Sequence, residues 1–204
     1  MLLQTLIDTI FQLVLFSIIP FLWWFFSARK KEKILSWIGL KIPKFSNKSK
    51  ALIISLLSLA ILLASGMYLV FTFEDKSLLA NAKFAGLGFS GIIPILIYAI
   101  IQTGLCEEIL FRGFLNKRIS HKFGFVSGNI AQSILFGLLH GVLLFGSVDT
   151  LTIIFILIFT SAVGWLMGYL NEKLGNGSII PSWTIHSLMN IISSFIFLFG
   201  IVAV

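Results

Sequence analysis

Cys106-Glu107-Glu108-Ile109-Leu110-Phe111-Arg112 places two carboxylates and a guanidinium inside a run that otherwise reads as a membrane span. Upstream, only Tyr98, Gln102 and Thr103 interrupt the apolar character between Ile92 and Leu105, and Gly113-Phe114-Leu115 continues it as far as Lys117 and Arg118. Each charge at the centre of a membrane helix costs about 2.5–3.5 kcal/mol on insertion scales, so such residues pair, face a cavity or carry a function. On a helix Glu108 and Arg112 are four apart and share a face. Glu107 lies about 100° round from Glu108 and has no cation three or four residues away. The spacing therefore predicts that Arg112 neutralises Glu108 and leaves Glu107 free for chemistry. The competing reading is one structural ion cluster that locks helices together.

The rest of the chain agrees with a membrane setting. Of 204 residues, 58% are hydrophobic and only 11% charged, and the mean hydropathy is +1.04. Apolar segments of about 20 residues recur, the signature of an all-α polytopic membrane helix bundle. Six spans are expected, from about Leu6 to Phe26, Ala51 to Phe73, Ser90 to Ile119, Phe125 to Phe145, Leu151 to Leu170, and Pro181 to the C-terminus. The first lacks a basic flank and a small-residue cleavage pattern, and so reads as a retained span. Glu74, Asp75 and Lys76 close the second with little net charge. Gly137-x-x-x-Gly141 and Gly164-x-x-x-Gly168 allow close helix approach.

The net charge of +7 is not a nucleic-acid signal. Twelve of the fifteen basic residues fall in three loops on one side of the six-span topology, eight of them between Arg29 and Lys50. The positive-inside rule makes those loops cytoplasmic and puts both termini outside. Their partner is anionic lipid, not nucleic acid. The single cysteine, Cys106, excludes an intramolecular disulfide. Beside Glu107 it reads as a small packing residue, since an acidic neighbour discourages thiolate formation.

Six polar groups lie deep in the third, fourth and sixth spans: Glu107, Glu108, Arg112, His140, His186 and Asn190. At 1.5 Å rise per residue, Glu107 lies about 15 Å from Lys117, His186 about 12 Å from Ser178 and His140 about 20 Å from Ser127. These depths permit convergence. His186 and Asn190, four apart, share a helix face.

Three elements then occur in order: Glu107-Glu108-x-x-x-Arg112, Phe136-x-x-x-His140 and His186-x-x-x-Asn190. Together they resemble the motifs of the CAAX protease and bacteriocin-processing (CPBP, or Abi) intramembrane proteases, which include the type II CAAX prenyl endopeptidases. The resemblance covers roughly residues 90–196. It implies a division into residues 1–89, two N-terminal transmembrane helices with a basic cytoplasmic loop, and residues 90–204, the protease core. It also implies peptide-bond hydrolysis in or beside the membrane.

Amide hydrolysis needs an activated water and a stabiliser for the oxyanion. The residues suit those roles: Glu107 as general base, His140 holding the water, and His186 with Asn190 presenting donors to the oxyanion. Glu108 and Arg112 form the supporting pair. Ser187 adjoins His186, but adjacent helix residues point apart, so a serine mechanism has no comparable support. Glu107, His140 and His186 also match a His₂Glu zinc set, and the choice between no metal and one divalent zinc stays open. The alternatives to a protease are a non-catalytic membrane immunity or scaffold protein and a small transporter. A transporter favours polar groups spread along the depth, whereas these gather in one layer. The Phe-, Ile- and Lys-rich composition points to a bacterial cell membrane, so the expected substrate is a hydrophobic or membrane-tethered peptide or protein rather than a prenylated one. The oligomeric state has no signature in the sequence.

Overall fold

The computed structural model describes residues 1–73 and 75–202; Glu74, read above as closing the second span, and the C-terminal pair lie outside the described residues. The described residues are about 80% helical and contain no β-strand, only an isolated bridge between Phe145 and Val148. Seven helices follow in order. They are α1 (Leu2–Ser27), the short α2 (Ile34–Trp37), α3 (Lys48–Thr72), α4 (Gly88–Phe123), α5 (Phe125–Leu143), α6 (Thr150–Leu174) and α7 (Ile180–Leu198).

Five of these, α1, α3, α4, α5 and α6, are long and apolar enough to cross a membrane. The sixth expected span is α7, with 19 residues as in α5. It falls short in apolarity, not in length, because Ser182, His186, Asn190, Ser193 and Ser194 lie along it. The outer faces of the bundle are apolar: α1 alone exposes Leu3, Ile10, Phe11 and Ile19. Such a face is stable against lipid tails and not against water.

The helix ends follow local chemistry. Asn47 caps α3 by accepting the Lys50 N–H. Asp149 caps α6, accepting the N–H groups of Leu151 and Thr152 and the Thr152 hydroxyl, which hold its carboxyl below the ordinary value. α4 and α5 meet at Gly124, whose φ of +85° is open to glycine and strained for other residues. α4 begins near Gly88 and ends at Phe123, somewhat longer than the apolar run alone indicates.

Both N-terminal spans pack against the remainder. Leu13 and Trp24 of α1 join a core of Trp37, Ile38, Ile109, Phe114 and Ile179. Ile54, Leu59 and Leu62 of α3 cover Leu170, Leu174 and Ile185. The glycine pairs of α5 and α6 face each other's helix: a Cβ on Gly137 would stand 2.7 Å from the Leu157 carbonyl, and one on Gly164 3.1 Å from the Ser133 Cβ. Gly168 packs on Asn129, whose amide donates to the Trp165 carbonyl at 2.9 Å. Gly141 makes only ordinary contacts.

The loops on the basic side are knitted together. Lys117 Nζ donates to Glu172 and to the Gly177 carbonyl, at 2.5 and 2.7 Å, and the Ile179 N–H donates to the Gly39 carbonyl at 2.9 Å. On the opposite side, residues 75–87 form short 3₁₀ turns at Lys76–Leu78 and Ala82–Phe84. This segment, ambiguous in sequence, plugs into the bundle: Phe84 is fully buried against Tyr98, Ile95 and Leu198.

Candidate active site

α4 is not a uniform helix. It is π-helical over Tyr98–Leu105 and again over Ile109–Asn116, with Cys106–Glu108 between in α geometry. The i→i+5 bonding of a π-segment widens each turn, and such segments concentrate at functional sites. On an ordinary α-helix, Tyr98 and Glu107 would be about two and a half turns apart and point to opposite sides. Here both line the same cavity, as does Thr103 between them.

The crossing of α4 and α7 is close because Gly104 sits at it. A Cβ there would stand 2.9 Å from Ser187 Oγ and 3.4 Å from the Trp183 ring. The Trp183 indole N–H donates to the Ile100 carbonyl at 2.7 Å and pins the two helices. One turn further along α7, His186 reaches the carboxylates of α4.

Glu108 lies at the centre of the charge layer, fully buried. Its Oε1 accepts from Arg112 Nη1 at 2.9 Å and from His186 Nδ1 at 3.3 Å. Its Oε2 accepts from the Ser182 hydroxyl. Ser182 is held in turn by Asn171, whose amide donates to its hydroxyl at 2.6 Å. Arg112, also fully buried, lies 4.1 Å above the Phe136 ring and points Nη2 toward the Met167 sulfur at 3.8 Å. The pair expected from the four-residue spacing thus forms, fully buried.

Glu107 occupies different surroundings. It is 9% exposed, lines a cavity of about 810 Å³, and its Oε2 has no hydrogen-bond partner. The nearest basic group is His186 Nε2, 3.8 Å away. His140 and Asn190 line the same cavity. His140 packs against Phe136 with ring centroids 4.5 Å apart and turns Nδ1 to the Phe136 carbonyl at 2.9 Å. Asn190 donates to the Thr103 hydroxyl at 2.7 Å, and Thr103 to the Tyr98 carbonyl at 3.1 Å. All four catalytic candidates thus border one space, with Glu108 and Arg112 behind it. Cys106 is fully buried.

Four residues near the site carry no role in the sequence pattern. Ser182 is four residues before His186, a spacing that places both on the face toward Glu108. Thr103 and Gln102 stood out as polar interruptions one turn before Glu107, without an assigned partner. Asn171 sits in a polar turn, and no local pattern points from there to Ser182.

The zinc set has mixed support. In both histidines Nδ1 faces an oxygen acceptor and so carries a hydrogen; in the neutral ring Nε2 is then the lone pair, the arrangement of metal-bound histidines. As placed, however, no three His, Cys, Asp or Glu side chains among the described residues stand close enough to hold a metal ion. The set of Glu107, His140 and His186 does not assemble into a metal centre.

Comparison with curated proteins and with solved structures gives no significant match. A family model described as type II CAAX prenyl endopeptidase Rce1-like matches residues 89–192, just over half of the chain, from the start of α4 into α7. That stretch holds every polar group assembled above, and the chain belongs to the Rce1-like type II CAAX prenyl endopeptidase family of membrane proteases.

Proposed function

We propose that this protein is an intramembrane endopeptidase in which Glu107 activates a water molecule against a peptide bond. The observation that carries the reading is the inequality of two adjacent carboxylates. Glu108 has its oxygens filled by Arg112, Ser182 and His186, whereas Glu107 lines the cavity and its Oε2 is buried without a hydrogen-bond partner. A carboxylate without a partner in a shielded site is a competent base.

The 3.8 Å between Glu107 Oε2 and His186 Nε2 is too long for a direct hydrogen bond and sets the two groups side by side at the cavity, where a water donates to the Glu107 carboxylate and to His186. Glu107 takes one proton from that water as its oxygen attacks the carbonyl carbon, and later passes it to the departing amine. His186, its Nδ1 engaged by Glu108, offers Nε2 as an acceptor that orients the water. This moves His186 from the oxyanion to the water. His140 borders the same cavity from α5. Asn190, with one amide hydrogen on Thr103, has the other for the oxyanion.

The substrate is a peptide or membrane protein whose chain reaches a largely apolar cavity. A prenyl group is not required by the reading. The deciding experiment incubates purified protein with apolar membrane peptides in H₂¹⁸O and analyses products by mass spectrometry. Wild type yields two fragments with ¹⁸O in the new carboxylate, and Glu107→Gln, nearly isosteric, yields none while remaining folded. Unchanged cleavage by that variant overturns the assignment of the base.

A further inference from the structure

We infer that the cavity holds its substrate as an unwound, extended peptide, with the side-chain oxygens of Gln102 and Asn81 accepting from its backbone N–H groups. The inference rests on the protease reading for the identity of the occupant, and adds two residues that bind its main chain.

The first line of support is a mismatch of donors and acceptors along the cavity wall. Among the buried side-chain atoms of the described residues that find no hydrogen-bond partner, three belong to residues lining the cavity: Asn81 Oδ1, Gln102 Oε1 and Glu107 Oε2. All three are oxygens. The two amide nitrogens are already engaged, Asn81 Nδ2 donating to the Ser193 hydroxyl at 2.7 Å and Gln102 Nε2 to Gln12 Oε1 at 3.4 Å. Gln102 is only 7% exposed. A buried acceptor without a donor is costly, and the occupant that removes the cost brings N–H groups. A lipid acyl chain would suit the apolar wall of Phe11, Leu15, Leu69 and Phe197, but it carries no donor.

The second line is position. Gln102 lies one turn before Glu107 on α4 and meets α1 through Gln12. Asn81, on the segment between α3 and α4, is tied to α7 at Ser193, seven residues after His186 and so about 10 Å along that helix. At roughly 3.3 Å per residue, an extended chain with its scissile bond at Glu107 and His186 covers that span in a few residues. A helical peptide does not suit these acceptors, because its N–H groups beyond the first turn are bonded internally. An extended backbone offers its N–H groups, and the main-chain bonds give affinity while the apolar walls take the side chains. Asn81 and Ser193 fall outside residues 89–192, so this subsite is set by the chain's own flanking sequence.

The test measures binding and scores catalysis separately. The probe is a fluorescein-labelled Leu- and Ala-rich peptide with Lys at both ends, beside a companion whose central amides are replaced by esters, which carry no N–H. Affinities are measured by fluorescence anisotropy in detergent on Glu107→Gln, which leaves the peptide intact. The ester companion is expected to bind about tenfold more weakly, the loss of two hydrogen bonds. Adding Asn81→Leu or Gln102→Met is expected to narrow that gap to about threefold, and adding both to close it. Asn81→Ala and Gln102→Ala repeat the comparison where the isosteres lower the folded yield. A purely structural role weakens both peptides alike and preserves the gap, which overturns the inference. Equal affinities in Glu107→Gln itself also overturn it, as does failure of the amide peptide to bind. Cleavage of the same peptides by protein with native Glu107 is followed in parallel. A gap that closes as expected without any cleavage defeats the protease reading and keeps this inference; cleavage without a gap does the reverse.

Discussion

Arg112 Nη1 lies 2.9 Å from Glu108 Oε1 with neither side chain reached by solvent. Two neighbouring glutamates in one membrane helix thereby acquire different tasks, because a single guanidinium, four residues on, can pair with only one of them at this distance. Glu108 becomes the hub that also fixes His186 and Ser182. Glu107 is left facing the cavity.

The first prediction concerns that pair. Glu108→Gln or Arg112→Ala leaves a buried charge uncompensated, a loss of about 3–5 kcal/mol. The folded yield in detergent and the thermal midpoint should both fall. Combining Glu108→Gln with Arg112→Met removes both charges and should recover most of the stability without recovering activity, since His186 loses its charged acceptor. A double variant as unstable as the single ones contradicts the pairing.

Asn190 and Thr103 separate a direct role from a positioning one. Removing an oxyanion donor lowers turnover by about 10²–10³ with little effect on ground-state binding. Asn190→Ala should show that loss in kcat at nearly constant KM. Thr103→Val acts only through the orientation of Asn190 and should lose less, with Thr103→Ser retaining most activity. A rise in KM at constant kcat for Asn190→Ala points to substrate binding instead.

Metal content gives an independent pattern. Zinc per protein is measured for wild type, Glu107→Gln, His140→Ala, His186→Ala and Asn190→Ala, beside their rates. The expected outcome is turnover that does not track zinc and survives chelation. One zinc per active molecule, lost in the first three variants, kept in Asn190→Ala and restoring wild-type activity on return, reverses the mechanism.

Packing of α5 on α6 holds His140 in place. Gly137→Val drives its new methyls against the Leu157 carbonyl, a backbone atom that cannot swing aside. Overpacking of this kind typically costs about 1–3 kcal/mol. The thermal midpoint should fall, and activity should fall with it, because His140 lies less than one turn further along the same helix. Gly141→Ala, at a position with only ordinary contacts, should be close to neutral in both measurements.

Some of this was present in the chain alone. The apolar runs mark five of the six expected spans and their approximate ends, because crossing hydrocarbon demands about 20 apolar residues whatever the partners are. The Glu108–Arg112 pairing follows from a four-residue spacing, and the rise per residue permits His140, His186 and Asn190 to meet at one depth. Those are local rules that act within single helices. The tertiary structure decided what those rules do not reach. The π-helical stretch at Tyr98–Leu105 changes the phase of α4, so that Tyr98 and Thr103 border the same cavity as Glu107, which α-helical counting denies to Tyr98. The Ser182–Asn171 support for Glu108 joins a helix to a turn and exists only once α6 and α7 have met. The tautomer of His186, and with it the atom it offers to the cavity, depends on which carboxylate its Nδ1 finds across the helix crossing at Gly104. A helix's own sequence sets its faces, but the partner of a buried polar atom is set by whichever helix packs there.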